Sequence, residues 1–266
     1  MSRVGEGGPR PPLAVVALAA AGAALLVLPL VGLAWRAPWG ALAAELAAPE
    51  VRAALRLSLV CSLAATALSI VLGLPLAWIL ARDAGRGQGW LRGLVTVPIV
   101  LPPVVGGVAL LLVFGRRGLV GQWLDAALGI RLPFTTAGAI LAETFVALPF
   151  FVLTVEGGLR GVDRGLEEAA RVLGAGPWTV FRRITLPLAR PALVAGTVLC
   201  WARALGEFGA TITFAGNFPG RTQTLPLAVY VALERRPEAA IALSLVLLAV
   251  SLAVLVALRR RWTPRW

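Results

Sequence analysis

The chain reads as long apolar stretches cut by short arginine-bearing segments. A helix crosses about 30 Å of bilayer hydrocarbon with about 20 residues, and six stretches reach that length. Leu13 to Trp35, Leu57 to Ala81, Gly93 to Gly115 and Ala239 to Leu258 carry no charge. Thr136 to Val155 carries only Glu143, and Ala192 to Thr213 carries only Arg203 and Glu207. The third stretch is interrupted by Pro98, Pro102, Pro103, Gly106 and Gly107. The pattern predicts an all-α polytopic membrane protein with six transmembrane helices. The loops are too short for a separate soluble domain, so residues 1–266 are read as a single transmembrane domain. Residues 1–12 form a short arm, kept extended by Pro9, Pro11 and Pro12. The first apolar core is too long for a signal-peptide core and five more spans follow, so it is read as a retained helix.

Composition sharpens the class. Of 266 residues, 59% are hydrophobic and 14% charged, against about 25% charged in soluble domains. Mean hydropathy is +0.85. The net charge of +12 comes from arginines placed between apolar runs. That is how a membrane protein sets its orientation, not how a nucleic-acid binder is built. With both termini cytoplasmic, the inner segments hold fifteen arginines, among them Arg3, Arg10, Arg86, Arg260, Arg261 and Arg265. The outer segments then hold nine, so the bias favours that orientation. Trp35, Trp78, Trp90 and Trp262 lie near span ends, where an aromatic belt places them. There is no histidine and no lysine. An ordinary P-loop, a Schiff-base lysine and a histidine general base are therefore excluded. Cys61 and Cys200 both lie in apolar runs and make neither a disulfide framework nor a metal site.

The longest inner loop, roughly residues 157–190 between spans four and five, departs from the pattern. Gly165 to Leu173 has the spacing of a short helix, with Asp163 placed to cap it and Glu167 and Glu168 in its first turn. Gly174 and Gly176 end it, and Pro177 opens a second helix. Leu166, Ala169, Ala170 and Leu173 form an apolar ridge at i, i+3, i+4, i+7. By spacing alone, two readings stand: the ridge lies against the membrane surface or its own spans, or it docks into a groove on a soluble partner.

The loop is similar to the signature of the membrane subunits of ABC importers: Glu-Ala-Ala, three residues, Gly, nine residues, then Ile-x-Leu-Pro. Here it is Glu168-Ala169-Ala170, Gly174, Ile184, Leu186 and Pro187, and both spacings match. The resemblance implies a coupling helix that docks into a cleft on a separate ATP-hydrolysing subunit. Ala169 and Ala170 would permit close backbone approach, Glu168 would cap the helix or pair with a partner arginine, and Gly174 would make the turn. The chain would then be a non-catalytic transport subunit that binds no cofactor, with ATP and Mg on the partner.

Two further features concern what passes through. Arg203 and Glu207, four residues apart, are read as sharing one face of the fifth span. They are either a self-paired bridge that fixes packing or part of a gate. Glu143 is a second buried acid, read as structural, either near the outer interface or paired with an arginine elsewhere. Residues 209–224 are rich in hydroxyls, amides and glycines. Thr211, Thr213, Asn217, Arg221, Thr222, Gln223 and Thr224 are the donors an oxyanion would meet; the alternative is an ordinary Gly-Asn-Pro-Gly turn. Leu225 to Leu233 reads as a short helix that either re-enters the membrane or lies along its outer face.

The run from Leu205 to Phe214, then Asn217, Pro219 to Thr224, and Leu225-Pro226 resembles the molybdate branch of the importer permeases, and in part the sulfate branch. Phe218 departs from the aliphatic residue expected there. The resemblance implies a homodimer in a prokaryotic inner membrane, two ABC ATPase subunits below it and an extracytoplasmic oxyanion-binding protein above. Its cargo would be molybdate or tungstate, with a sulfate or thiosulfate permease as the alternative. A secondary transporter or channel working alone is remoter, since no matching inverted halves are evident.

Overall fold

In a computed structural model, residues 12–82, 85 and 87–259 are described. Most of the N-terminal arm, with Arg3, Pro9, Arg10 and Pro11, lies outside them, as do Arg86, Arg260, Arg261, Trp262 and Arg265. Among the described residues every regular element is a helix. In chain order they are α1 (Leu13–Trp35), α2 (Leu42–Ala47), α3 (Pro49–Arg82), α4 (Gln88–Val100), α5 (Pro103–Phe114), α6 (Gly121–Leu128) and α7 (Thr136–Arg160). Then follow α8 (Arg164–Val172), α9 (Pro177–Val180), a π-helical turn (Phe181–Thr185), α10 (Leu186–Leu188), α11 (Arg190–Leu205), α12 (Gly209–Phe214), α13 (Leu225–Arg235) and α14 (Pro237–Arg259).

Four of these, α1, α3, α7 and α14, are long and apolar enough to cross a bilayer unaided. Two bent pairs bring the number to six if each counts as one span. The α4–α5 pair turns by 117° and the pair formed by residues 177–188 and α11 by 71°. The first bend follows from Pro102 and Pro103: Leu101 takes extended backbone before them, as the residue before a proline must. The fifth apolar stretch differs from the expectation. It is not one helix: α11 ends at Leu205, residues 206–208 break it, and α12 begins at Gly209. Gly206 closes α11, and Glu207 turns its carboxylate forward to accept the Ala210 amide at 2.8 Å, capping α12 instead of continuing α11.

The core is built around α7, which packs along α3 and α11 and touches α4, α5 and α12. Phe151, Val152, Val155 and Leu159 are fully buried there against Ala65, Ala77 and Leu80 of α3 and Cys200 and Ala204 of α11. Small residues allow the close approach. A Cβ placed on Gly158 would stand 2.1 Å from the Ala192 Cβ, and one on Gly107 of α5 would stand 2.6 Å from the Thr213 Cβ of α12. Helices in a bilayer pack in this way because apolar burial no longer separates protein from solvent, so close van der Waals contact must carry the association. α1 has no buried residue and leans on α14. Thr135 caps α7, its hydroxyl accepting the Gly138 amide at 3.1 Å. With 25 residues α7 is about 37 Å long. α6 therefore lies at one end of the bundle and α8 at the other.

Candidate functional site

At the α8 end, the elbow forms much as its residues dictate. Asp163 accepts the Gly165 amide at 2.8 Å, so the cap of α8 is Asp163 and not Glu168. Gly174 takes φ +86°, a left-handed conformation that favours glycine. Pro177 opens α9 at its first turn. The ridge is not packed on the chain's own spans. Leu173 is 87% exposed, and Leu166, Val172 and Ala169 also face outward. Ala170 is half-buried, while Glu168 is exposed and makes no ion pair among the described residues. Ile184, Leu186 and Pro187 continue from the π turn into α10.

What is buried in α8 is an acid that sequence reasoning assigned only to the helix dipole. Glu167 is 5% exposed. Its Oε1 accepts hydrogen bonds from Arg82, at the last turn of α3, and from the Thr185 hydroxyl at 2.7 Å. A second carboxylate lies at the same end: Glu156 of α7 pairs with Arg160 at 2.9 Å and with Arg92 of α4. Arg160 also donates to the Leu80 carbonyl of α3 at 3.1 Å. Beside them opens a cavity of about 310 Å³ lined by Arg82, Arg164, Glu167, Glu168, Arg171 and Thr185 together with apolar side chains. No short motif announces Glu167 as an anchor. The available signal was an acid in a short basic loop with arginines at the adjoining span ends.

In the interior, Arg203 Nη1 and Glu207 Oε2 pair at 2.6 Å. A self-paired bridge is one of the two readings of these residues; it forms here across a break between two helices. Arg203 is about a quarter exposed (26%), whereas the Glu207 side chain is sealed. Glu143 of α7 lies within electrostatic reach of Glu207. It has no arginine partner among the described residues, and its Oε2 has no hydrogen bond there. Two acids and one cation thus share a buried patch. The buried Thr211 hydroxyl, one turn beyond Glu207, also lacks a partner among the described residues. Thr213 spends its hydroxyl on the Gly209 carbonyl at 2.8 Å.

The remaining polar residues form a turn at the α6 end. The Phe218 carbonyl accepts amides of Arg221, Thr222 and Gln223 at 3.1, 2.9 and 3.0 Å. Thr222 accepts the Phe218 amide at 2.9 Å. Thr136 at the start of α7 donates to the Arg221 carbonyl at 2.8 Å, and the Arg221 side chain is exposed. Gln223 lines a cavity of about 280 Å³ with Glu50, Arg235 and Arg236 among others. Asn217 Oδ1 and Thr224 Oγ1 are buried without partners among the described residues. Ser58 of α3 accepts the Leu225 amide at 2.6 Å and so caps α13. The expected donors therefore divide. Arg203 pairs with Glu207 and Thr211 lies one turn beyond it, while Arg221, Thr222, Gln223 and Thr224 build and border the turn. Also at this end, Asp125 accepts from Arg131 at 2.8 Å and Arg116 at 3.2 Å. The hydrogen bond from Arg131, ahead of the weaker one from Arg116, holds its carboxyl below the usual range. Among the described residues no three His, Cys, Asp or Glu side chains group as metal ligands do.

The family described as binding-protein-dependent transport system inner membrane component matches residues 69–263. A molybdenum transport system permease protein of Mycobacterium tuberculosis is 47% identical over 246 residues, covering 92% of this chain and 92% of its own length. Its Escherichia coli counterpart is 44% identical over 189 residues, 71% of this chain and 82% of its own. Among solved structures, a chain of a bacterial ABC transporter involved in import of the acidic polysaccharide alginate superposes with a TM-score of 0.73. It covers 95% of this chain and 96% of its own at 20% identity, a likeness of fold.

Proposed function

The chain belongs to the binding-protein-dependent transport system inner membrane components, and on that premise we propose that it forms the translocation path for an oxyanion, molybdate or tungstate, in an ATP-driven importer. The working assembly pairs two copies of this chain with two ABC ATPase subunits and an extracytoplasmic oxyanion-binding protein. ATP and Mg are held by the ATPases. The chain is one transmembrane domain of six spans in a prokaryotic inner membrane, with both termini and the 157–190 loop on the cytoplasmic side.

The observation that carries this reading is the unburied ridge of α8. An apolar face at Leu166, Ala169 and Leu173 that its own chain leaves open, on a helix tied down by Glu167, is what helix-in-groove docking requires. Glu168, Ala169, Ala170, Gly174, Ile184, Leu186 and Pro187 make the coupling elbow. Exposed Glu168 supplies a charge for a partner arginine. Closure of the ATPases moves the elbows, and the two subunits rock between inward- and outward-open states. Arg203 is the cation the oxyanion meets when the Arg203–Glu207 pair opens, and Thr211 and Asn217 are the neutral donors along the way. Arg221, Thr222, Gln223 and Thr224 frame the entrance.

The test is uptake in proteoliposomes carrying this chain, its ATPase and its binding protein. Molybdate accumulation that needs ATP, and that tungstate suppresses more than sulfate does, is the expected result. Sulfate outcompeting molybdate would reassign the cargo, and uptake by the chain alone without ATP would sink the reading. Glu168→Lys is expected to abolish uptake and reduce co-purification of the ATPase. Normal uptake by an intact complex would contradict the coupling role.

A further inference from the structure

Whatever grips the ridge of α8 can move the spans only through the joints and contacts that link α8 to them. The backbone joints are turns: residues 161–163 before α8, and the left-handed Gly174 after it. A turn transmits force poorly, because it absorbs displacement in its dihedral angles. The stiff joint is Glu167. Its side chain leaves α8 on a different face from the ridge and is buried. One oxygen takes hydrogen bonds from both Arg82 and Thr185. Arg82 is the last residue of α3, the longest helix, which lies along α7 and α11. Thr185 is 1% exposed and closes the π turn that feeds α10 and α11.

We propose that Glu167 is a positioning residue for transport: its carboxylate straps α8, the π turn and the end of α3 into one lever, so that displacement of the elbow reaches the spans. The proposal rests on the transporter reading above and adds to it the residue through which the stroke passes. The strap includes no residue of the ridge and none of the interior patch. It therefore makes a prediction that neither docking nor cargo binding makes: ATP is still hydrolysed, but cargo no longer follows. Charged hydrogen bonds in a buried site are the strong ones, and removing one partner disables the link.

The complete complex is reconstituted with Glu167→Gln, with Arg82→Gln, and with both. ATPase retained per permease, ATP hydrolysed and molybdate taken up are measured together. Each single change is expected to lower uptake per ATP by about tenfold, with the ATPase retained. The double change should be no worse than either single one, because both cut the same link. Unchanged uptake per ATP would overturn the proposal. So would a loss that only tracks loss of the ATPase, or losses that multiply in the double variant. If the glutamine variants fail to assemble, Thr185→Val removes one bond and keeps the ion pair. It should lower uptake per ATP by about threefold at normal hydrolysis, and an unchanged ratio there overturns the strap. A wild-type complex with no ATP-driven uptake of any oxyanion would instead overturn the transporter reading, and the strap with it.

Discussion

Glu207 is an interior carboxylate asked to do two things. One oxygen neutralises Arg203 and the other caps α12. Glu143 stands near it as a second acid. Removing Arg203 alone leaves the sealed Glu207 carboxylate without its counter-charge, and breaking a buried pair in this way costs about 3–5 kcal/mol. Arg203→Gln is therefore expected to lower the melting temperature in detergent clearly. Arg203→Gln with Glu207→Gln should recover most of that loss. Replacing both partners removes the stranded charge, and the amide oxygen of the new glutamine side chain can still accept the Ala210 amide. The double variant should remain assembled yet fail to transport if Arg203 meets the oxyanion; full transport by that variant would reduce the pair to a packing device. The pairing itself was legible from the four-residue spacing. Its setting was not, because a sequence shows which residues are four apart but not that the helix stops between them. Glu167 was missed for a related reason: its partners Arg82 and Thr185 are 85 and 18 residues away, and no local pattern encodes such a meeting.

Helices meet here wherever a small residue lets them. Gly158 of α7 faces Ala192 of α11 with no room for a methyl group. In an open helix Gly→Ala would gain about 1 kcal/mol from backbone entropy. Here Gly158→Ala is expected instead to cost about 1–3 kcal/mol, because the helices must separate. Ala192→Gly in the same chain returns the missing space, so the pair of changes should melt near the wild type. A stabilised Gly158→Ala single variant would show that this crossing is looser than it stands. The uncharged and nearly uncharged runs located α1, α3, α7 and α14, since hydropathy over about 20 residues decides what a bilayer accepts. The prolines and glycines at 98–107 marked the α4–α5 bend. The α11–α12 break escaped because residues 206–208 carry no proline, and the signal lies in a side chain capping the next helix. The elbow was the best read of all, because caps, glycines and ridge spacing act within a few residues of one another.

At the scale of the whole molecule, the chain has two polar ends separated by α7, and the two ends are built differently. The α6 end is a set of turns, with Asp125 between two exposed arginines. The α8 end holds the buried carboxylates Glu156 and Glu167 with the arginines of three spans. The arginine bias favours the α8 end as cytoplasmic by fifteen to nine, and labelling can test this directly. Cys61 and Cys200 are both buried, so the native thiols should be silent to an aqueous reagent. New cysteines at Leu128 in α6, 66% exposed, and at Val172 in α8, 88% exposed, should report opposite sides. In right-side-out vesicles a membrane-impermeant maleimide is expected to modify Leu128→Cys and spare Val172→Cys, and inverted vesicles should reverse the pattern. Labelling of both from one side would break the topology, and Val172→Cys reacting from outside would invert it. Inverted vesicles containing the assembled ATPase carry the argument one step further. If the ridge beside Val172 is what the ATPase covers, the rate of its modification should fall when the ATPase is bound, while that of Leu128→Cys, measured from the other side, stays the same.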